Sequence, residues 1–286
     1  MSGGPLFVTR FPTPRAFLEG TGHFLEANEV ENNLILGISR DLAIDASGLI
    51  RDPYFAAVCR GDEVRLVAFQ TLPGRMAISR EAEPEAARAL AGDVHKAGLI
   101  VDAVLGPDPT VERFARELAA VRGQRVALHM RQRIHELTTV ASLPLLPSGR
   151  LRLAVESDTA LVASWLDAFQ NEIGEPAPTN RTAMYRIGVK ELFLWDDGRP
   201  LSMAGWSGPT SHGIRVNAVY TPPELRGHGY ATATVAALSQ LLLDQGYRFC
   251  CLYTDLANPT SNAIYQRIGY RSVSDSSVYR LESREP

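Results

Sequence analysis

The second half of the chain contains alternating and continuous apolar runs that predict strands, separated by longer periodic stretches that predict helices. Pro222 and Pro223 end one strand run, because proline cannot donate a hydrogen bond to a sheet. Gly246 follows a long helical stretch, at a place where a helix typically stops. The predicted elements are strand 151–156, helix 159–171, strands 192–195, 201–206 and 214–220, helix 231–243, strand 249–254, and a final strand near Tyr279.

The first half repeats this order of elements. Its predicted elements are strands 54–59, 64–71 and 75–79, helix 84–96, strand 99–105, helix 111–121 and strand 125–133. In each half a similar tripeptide opens the last helix, Asp108-Pro109-Thr110 in one and Asn258-Pro259-Thr260 in the other. The sequence therefore predicts an α/β (α+β) protein in which one fold occurs twice, as domains 1–143 and 150–286, with residues 144–149 as the boundary.

A glycine-rich turn precedes the long helix of the second half. Gly227 and Gly229 permit positive φ and a close approach to a ligand, and Arg226 adds a positive charge beside them. The free amides at a helix start and the positive end of the helix dipole favour anions, so a diphosphate fits this place. The alternative is that the glycines only turn the chain. Thr232 occupies the place of the third glycine of a dinucleotide motif, and no Gly-Lys-Ser/Thr is present, which excludes both nucleotide-binding patterns.

Two segments of the second half, residues 226–231 and 258–270, resemble the two motifs of the GNAT acetyltransferase superfamily. Residues 226–231, Arg-Gly-His-Gly-Tyr-Ala, are similar to its Arg/Gln-x-x-Gly-x-Gly/Ala signature. Residues 258–265, Asn-Pro-Thr-Ser-Asn-Ala-Ile-Tyr, followed by Ile268-Gly269-Tyr270, are similar to its second motif. The resemblance implies that each half is a mixed, centrally splayed sheet flanked by helices.

The resemblance also implies direct transfer of an acetyl group from acetyl-CoA, held between two splayed parallel strands, to a primary amine. Its expected cofactor-binding residues are Val219, Tyr220, Thr221, Arg226, Gly227, His228, Gly229, Tyr230, Ala231, Thr232, Asn258 and Asn262. Tyr265 is the expected general acid for the departing thiolate, and a backbone N–H near Val219 is expected to stabilise the oxyanion.

Several of these residues have structural alternatives. Tyr265 fits a core aromatic, Asn258 fits a helix N-cap ahead of a proline, and His228 fits a solvent-facing turn residue. For the general base, His212, Asp255 and an ordered water remain open. Four acidic residues of the second half could attract an amine or simply be solvated: Glu172, Glu175, Glu191 and Asp196.

The first half lacks both motifs. Residues 76–83 contain no glycine but include Glu81 and Glu83, which would repel a diphosphate. Counting from the shared Pro-Thr, Ala115 occupies the place of Tyr265 and Glu112 that of Asn262. We therefore interpret this half as a degenerate copy, which either covers the other sheet and walls part of the acceptor site or serves purely as a packing partner.

Composition and charge restrict the expected localisation and partners but do not identify a substrate. The net charge is −3 and no apolar run is long enough for a membrane span or a signal peptide, which favours a cytoplasmic protein without membrane or nucleic acid partners. Cys59, Cys250 and Cys251 lack metal-ligand spacing, so neither a metal nor a disulfide is expected. The resemblance implies that the acceptor is a small-molecule, peptide or protein amine. The rival functions are a non-catalytic acyl-CoA sensor or interaction module and a transferase of another acyl group.

Overall fold

The computed structural model describes residues 4–44, 53–174 and 180–283. The first half contains β1 (Leu6–Arg10), α1 (Pro14–Glu26), α2 (Asn33–Ile44), β2 (Tyr54–Arg60), β3 (Glu63–Leu72), β4 (Gly74–Ile78), α3 (Glu85–Lys96), β5 (Val101–Pro107), α4 (Thr110–Arg122) and β6 (Gln124–Leu137). The second half contains β7 (Arg150–Leu153), α5 (Thr159–Ile173), α6 (Asn180–Gly188), β8 (Leu192–Asp196), β9 (Pro200–Ser207), β10 (Gly213–Tyr220), α7 (Tyr230–Asp244), β11 (Phe249–Asp255), α8 (Pro259–Ile268) and β12 (Arg271–Ser283). The two halves therefore repeat one order of elements, and the predicted fold class is confirmed.

The strands of both halves form one 12-stranded sheet, in the order β1-β2-β3-β4-β5-β12-β6-β11-β10-β9-β8-β7. The last strand of each half is exchanged: β12 pairs with β5, and β6 pairs with β11. The two exchanged strands also pair with each other, antiparallel, in the middle of the sheet. In space the halves thus interleave. The division into domains 1–143 and 150–286 stays a prediction.

Parallel pairs lie at corresponding places in both halves, but only one of them opens widely. Strands β10 and β11 pair in register only as far as Arg215 and Cys251, although both strands run on to Tyr220 and Asp255. Strands β4 and β5 pair as far as Ala77 and Leu105, which leaves a single residue of β4 beyond the last pair. The second half therefore has a V-shaped cleft between its central strands.

Helices cover both faces of the sheet in the second half. Side chains of α7 and α8, such as Leu238 and Ile268, pack with Val216 on what we call the front face. Side chains of α5 and α6, such as Trp165 and Ala183, pack on the opposite, back face. Apolar burial on both faces fixes the register of the strands, because a shift by one residue would turn every side chain to the other face.

Four elements were not predicted from the sequence: β1, α1, α2 and α6. Helix α1 has an identifiable start signal, since the Thr13 hydroxyl oxygen accepts a hydrogen bond from the amide of Ala16 at 3.1 Å and a proline follows the cap. The final strand is longer than predicted, because it begins at Arg271 and includes a run of polar residues that hides its strand pattern.

Candidate functional site

A β-bulge lies in β10 at the open end of the cleft. Asn217 pairs with Gly205 of β9, but the next pair joins Tyr220 to Met203, so residues 218 and 219 have no register partner among the described strands. Ala218 has a φ of 49°, which is strained for a residue with a side chain. Bulges free backbone groups and re-aim a strand. The predicted oxyanion position at Val219 thus falls in unpaired backbone.

The start of α7 provides uncapped amides next to this bulge. Gly227 and Gly229 have φ values of 81° and 83°, and no side chain caps the helix. The first helical bond runs from the amide of Ala233 to Gly229 O at 3.0 Å. Within the described residues, the amides of residues 230–232 have no hydrogen-bond acceptor. A Cβ at Gly227 would meet nothing within 4 Å, so the turn is open to a ligand.

Arg226 lies at the edge of this turn. Its Nε donates to Thr221 O at 2.9 Å, its Nη2 donates to Glu172 Oε1 at 2.6 Å, and its guanidinium lies over the ring of Tyr220 at 5.8 Å. Both partners of the ion pair are about half exposed, so the pair is weak and does not hold Arg226 firmly. His228 is exposed and stacks on Tyr230 with 5.7 Å between ring centroids.

Tyr265 points from α8 into the core of the front face. It is 8% exposed and packs edge-on against Tyr270, with 5.9 Å between centroids. Burial raises the pKa of its phenol, which keeps the proton in place for donation. The Tyr270 hydroxyl is hydrogen-bonded to Ser239 Oγ at 2.8 Å, whereas the Tyr265 hydroxyl has no such bond to a described residue. The position fits both the core aromatic and the proton donor.

Asn258 and Asn262 hold the start of α8 against the end of β11. Asn258 Oδ1 accepts from the amide of Ser261 at 3.1 Å, so it is the N-cap. Asn262 Oδ1 accepts from the Thr254 hydroxyl at 2.7 Å, while its Nδ2 donates to Asp255 O at 3.0 Å and to Asn258 O at 2.8 Å. The structure gives both residues a positioning role, and their contact with the cofactor stays a prediction.

His135 of the exchanged strand β6 supports this corner from the other half of the chain. Its Nε2 lies 3.1 Å from the Thr254 hydroxyl oxygen, which itself donates to Asn262, so Nε2 carries the proton and donates. The ring is 1% exposed and its Nδ1 has no partner among the described residues. Burial and nearby Arg133 lower its pKa, so the ring is neutral. Sequence reasoning missed His135, because no local pattern reveals strand exchange.

The structure separates the two candidate general bases. His212 precedes β10, where Glu29 of the first half holds its Nδ1 at 2.8 Å and its amide at 2.7 Å. At about 3.3 Å per residue, it lies about 23 Å along the strand from Val219. Asp255 ends β11 at the open side of the cleft, and its Oδ1 accepts from the amide of Ala257 at 2.8 Å. Of the two residues, only Asp255 lies at the cleft.

A polar network on the back face was also missed. Arg186 Nη2 donates to Asn217 Oδ1 at 2.7 Å, and its Nε donates to Glu191 Oε2 at 3.2 Å. Asn217 Nδ2 donates to Ser207 Oγ at 2.6 Å, and Arg215 Nη2 donates to the same oxygen at 3.1 Å. Burial raises the pKa of Glu191, although Arg186 opposes the shift.

The other acidic residues named from the sequence are occupied elsewhere. Glu172 pairs with Arg226, and Asp196 pairs with Arg152 at 2.8 Å. Glu175 lies outside the described residues. Of the three that are described, Glu191 joins the back-face network.

Other chemistries find little support in the described residues. Within residues 4–44, 53–174 and 180–283, no group of three or more His, Cys, Asp and Glu could hold a metal. The three cysteines are free, and burial raises the pKa of Cys250 and Cys251 to about 12, so neither thiol is an activated nucleophile. In the same part of the chain, no helix is both long and apolar enough to cross a membrane.

Comparisons with known proteins agree with this geometry. The family model described as "FR47-like protein" matches residues 196–280, which include the bulge, the glycine turn and α8. No curated protein matches the sequence.

Solved structures match nearly the whole chain. A GCN5-related N-acetyltransferase from Sphaerobacter thermophilus is 16% identical, with a TM-score of 0.65, and the match covers 99% of this chain and 98% of that one. A Drosophila protein is 15% identical, with a TM-score of 0.71 and coverage of 97% and 99%. A tandem GNAT protein from the clavulanic acid biosynthesis pathway is 12% identical, with a TM-score of 0.56 and coverage of 99% of each chain.

At these identities the solved structures establish the fold, and the family match places the sequence signature in the second half. Together they agree with the acyltransferase class expected from the sequence. The chain therefore has the fold of these solved structures, which include a tandem GNAT protein, and its residues 196–280 match the FR47-like family.

Proposed function

We propose that the protein is an N-acetyltransferase that transfers an acetyl group directly from acetyl-CoA to a primary amine. The observation that carries this proposal is the junction of β10 and α7. There, unpaired backbone at residues 218–219 and uncapped amides at residues 230–232 lie at the open end of a V between parallel strands. The first half has no counterpart with these three features together.

The turn supplies the binding half of the mechanism. The uncapped amides and the positive end of the α7 dipole suit a diphosphate, and the open space at Gly227 admits it. In this proposal Val219, Tyr220 and Thr221 line the pantetheine arm through their backbone groups. Arg226 exchanges its weak ion pair with Glu172 for the diphosphate.

The chemistry needs no covalent enzyme intermediate. The amine nitrogen attacks the thioester carbonyl carbon, and the resulting oxyanion accepts a hydrogen bond from backbone at the bulge. When the carbon–sulfur bond breaks, Tyr265 gives its proton to the departing thiolate, and the amine loses its proton to Asp255 or to water. The products are an amide and free coenzyme A.

Calorimetry with acetyl-CoA tests the binding half of this proposal. Arg226→Glu places a carboxylate beside the helix start, where it repels the diphosphate, so binding should weaken at least 100-fold. Arg88→Glu is the matched control, because Arg88 of α3 is also an exposed arginine paired with a glutamate, Glu117. Equal binding by both variants and the intact chain would contradict the proposed site.

Turnover separates an enzyme from a sensor. Free thiol release from acetyl-CoA in the presence of an amine panel should be detectable with the intact chain and should fall in Tyr265→Phe. Tight binding of acetyl-CoA without turnover on any amine would instead support an acyl-CoA sensor. Preference for a longer acyl-CoA in the same assay would change the assigned acyl group and leave the site intact.

A further inference from the structure

The side chain of Arg186 lies against β9 on the back face, directly opposite the residue that precedes the bulge. A Cβ on Gly205 would lie 2.7 Å from Arg186 Nη2, so the guanidinium occupies the space that a side chain at Gly205 would need. Gly205 is the register partner of Asn217, which is the last paired residue before the bulge at 218–219. The guanidinium therefore lies beside the point where β10 leaves its regular register.

Asn217 is held at both ends of its side-chain amide. Its Oδ1 accepts from Arg186 Nη2 at 2.7 Å, and its Nδ2 donates to Ser207 Oγ at 2.6 Å. Distances of this length are those of good hydrogen bonds. Because the backbone of Asn217 also pairs with Gly205, the main chain and the side chain together fix this residue on β9.

Arg186 is itself held in one orientation. Its side chain is 14% exposed, its Nε donates to Glu191 Oε2 at 3.2 Å, and its Nη2 also donates to Trp206 O at 3.3 Å. The amide of Glu191 in turn donates to Arg186 O at 2.9 Å. A planar guanidinium with bonds in several directions is a rigid support, so Asn217 has a fixed partner.

The other side of the bulge is fixed separately. Ser202 Oγ donates to Tyr220 O at 3.1 Å and lies 2.8 Å from the hydroxyl oxygen of Thr221. Ala218 is 5% exposed, and its methyl group packs among the apolar side chains of the back face. A strained backbone conformation persists only where its surroundings determine it. The contacts on both sides thus hold residues 218–219 in place without a register partner.

The buried arginine distinguishes the bulged half from the other. Burial of a guanidinium costs free energy that an apolar side chain in its place would not. The corresponding face of the first half is packed by apolar side chains such as Phe69 and Ala77, and there β4 stays paired with β3 to its last residue, Ile78. Arg186 therefore accompanies the bulge, where backbone must be held without a strand partner.

We propose that Arg186 is a positioning residue for acetyl transfer, which acts through Asn217 to fix the backbone of the bulge so that an N–H there bonds the thioester oxygen. This inference rests on the proposed acetyl transfer and adds a residue that supports it. In this proposal Arg186 touches neither acetyl-CoA nor the amine. Its effect reaches the reacting carbonyl through the strand alone.

Calorimetry with acetyl-CoA and with S-ethyl-CoA tests this arrangement without turnover. S-ethyl-CoA has a methylene group in place of the carbonyl but keeps every group that the glycine turn would bind, so the ratio of the two affinities reports the contact at the carbonyl oxygen. The intact chain should bind acetyl-CoA about fivefold more tightly. Arg186→Met and Asn217→Ala should each lower this ratio below about twofold and leave the Kd of S-ethyl-CoA unchanged.

Two further arginine variants separate geometry from charge and from stability. Arg186→Lys keeps the charge but not the planar fork, so it should behave like Arg186→Met; full restoration of the ratio by lysine would overturn the positioning role. Arg152→Met is the matched control, because Arg152 is also a partly buried arginine held by carboxylates, those of Asp158 and Asp196. This variant should lose stability and keep the ratio.

Turnover gives a second readout, on any amine that the intact chain acetylates. In Asn217→Ala, kcat should fall at least tenfold and by more than KM rises, because an oxyanion gains more from the backbone N–H than the ground-state carbonyl does. The double variant Arg186→Met with Asn217→Ala should be no slower than the slower single variant, since both substitutions remove one interaction.

The outcomes separate this inference from the proposed function. An unchanged ratio and an unchanged kcat in Asn217→Ala, with only a lower thermal midpoint, would make the network purely structural and leave the acetyltransferase standing. That milder variant decides the question if Arg186→Met does not fold. Equal affinities of the intact chain for the two ligands would remove the carbonyl contact, and with it the role of Arg186. Failure of both ligands to bind would overturn both proposals.

Discussion

The two halves of this chain repeat one order of elements, and they differ at the junction between the fourth strand and the following helix. In the second half the parallel strands part after Arg215 and Cys251, and two glycines with positive φ lead to an uncapped helix. In the first half the strands stay paired to Ala77 and Leu105, and the segment before α3 contains Glu81 and Glu83, held by arginines. The two halves share a fold but differ in a few backbone conformations and charges, and the proposed cofactor site of the second half depends on these.

The exchanged strands carry the comparison further. Strand β12 supports the first half, where the Ser277 hydroxyl donates to Asp108 Oδ2 at 2.6 Å at the loop before α4. Strand β6 supports the second half, where His135 and Thr254 hold the loop before α8. Each half thus fixes a corner of the other. The corner of the second half lies next to Tyr265, the proposed proton donor, whereas the first half has Ala115 in the corresponding place.

Substitutions in the glycine turn of the second half should have a much larger effect on acetyl-CoA binding than a matched substitution in the first half. Combined replacement Gly227→Ala and Gly229→Ala should raise the acetyl-CoA Kd about 100-fold, equal to about 2.7 kcal/mol, because methyl groups and altered φ displace the amides at the start of α7. Gly98→Ala, at a φ of 65° after α3, is the matched control. Each of the three glycine-to-alanine substitutions should lower the free energy of unfolding by about 1 kcal/mol, but Gly98→Ala should leave the acetyl-CoA Kd unchanged. Calorimetry and thermal unfolding check both parts.

The pair Tyr265 and Tyr270 separates chemistry from packing. Tyr265→Phe should lower kcat about 100-fold through loss of the proton donor, with little change in stability, because its hydroxyl has no described hydrogen bond. Tyr270→Phe should lose about 1 kcal/mol of stability, since the bond to Ser239 disappears, and should keep kcat within threefold. Steady-state kinetics and denaturant unfolding measure the two effects. The reverse pattern would assign the chemistry to the wrong tyrosine.

The two exchanged-strand corners should differ in function and not in stability alone. Thr254→Val leaves the Nε2 proton of His135 buried without an acceptor and should lower the free energy of unfolding by about 2 kcal/mol, with a rise in KM for acetyl-CoA. Ser277→Ala should also destabilise, but its KM should stay unchanged. Thr254→Ser keeps the hydroxyl and should restore both values. Equal kinetics in all three variants would remove the functional role of the corner.

The smallest expected difference is in stability, and it concerns an arginine in the first strand of each half. Arg152 is partly buried and donates to Asp158 at 2.7 and 3.0 Å and to Asp196 at 2.8 Å. Arg10 pairs with Asp93 and is more exposed than Arg152. Arg152→Met should cost about 1–2 kcal/mol and Arg10→Met about 0.5 kcal/mol. Chemical denaturation of both variants gives the two values.

This pair also predicts a pH dependence. Hydrogen bonds from Arg152 lower the pKa of Asp158 despite burial. The ionised carboxylate therefore stabilises the fold at neutral pH, and this contribution is lost as the pH falls below about 4, the ordinary range of an aspartate. In Arg152→Met, the free energy of unfolding should therefore decrease less on acidification than it does in the unmodified protein. An unchanged acid profile would mean that Arg152 does not set the pKa of Asp158.

Local patterns in the sequence predicted most of the elements and the glycine turn. Gly227, Gly229 and the prolines before them determine local conformation, and such signals do not depend on the rest of the chain. The exchange of β6 and β12 and the contacts of α2 could not be predicted, since they join residues such as Asn33 and Arg215 that lie far apart in the chain. His212 shows the same limit: its place near a strand suggested a base, but the structure puts it at the other end of β10.

The number of acetyl-CoA molecules bound per chain tests the contrast between the halves most directly. Native mass spectrometry of the intact chain, with calorimetry for the affinity, should find one molecule per chain, and none in Arg226→Glu at the same concentration. Two molecules per chain, or one that remains in Arg226→Glu, would contradict the account, because binding would then not depend on the glycine turn of the second half.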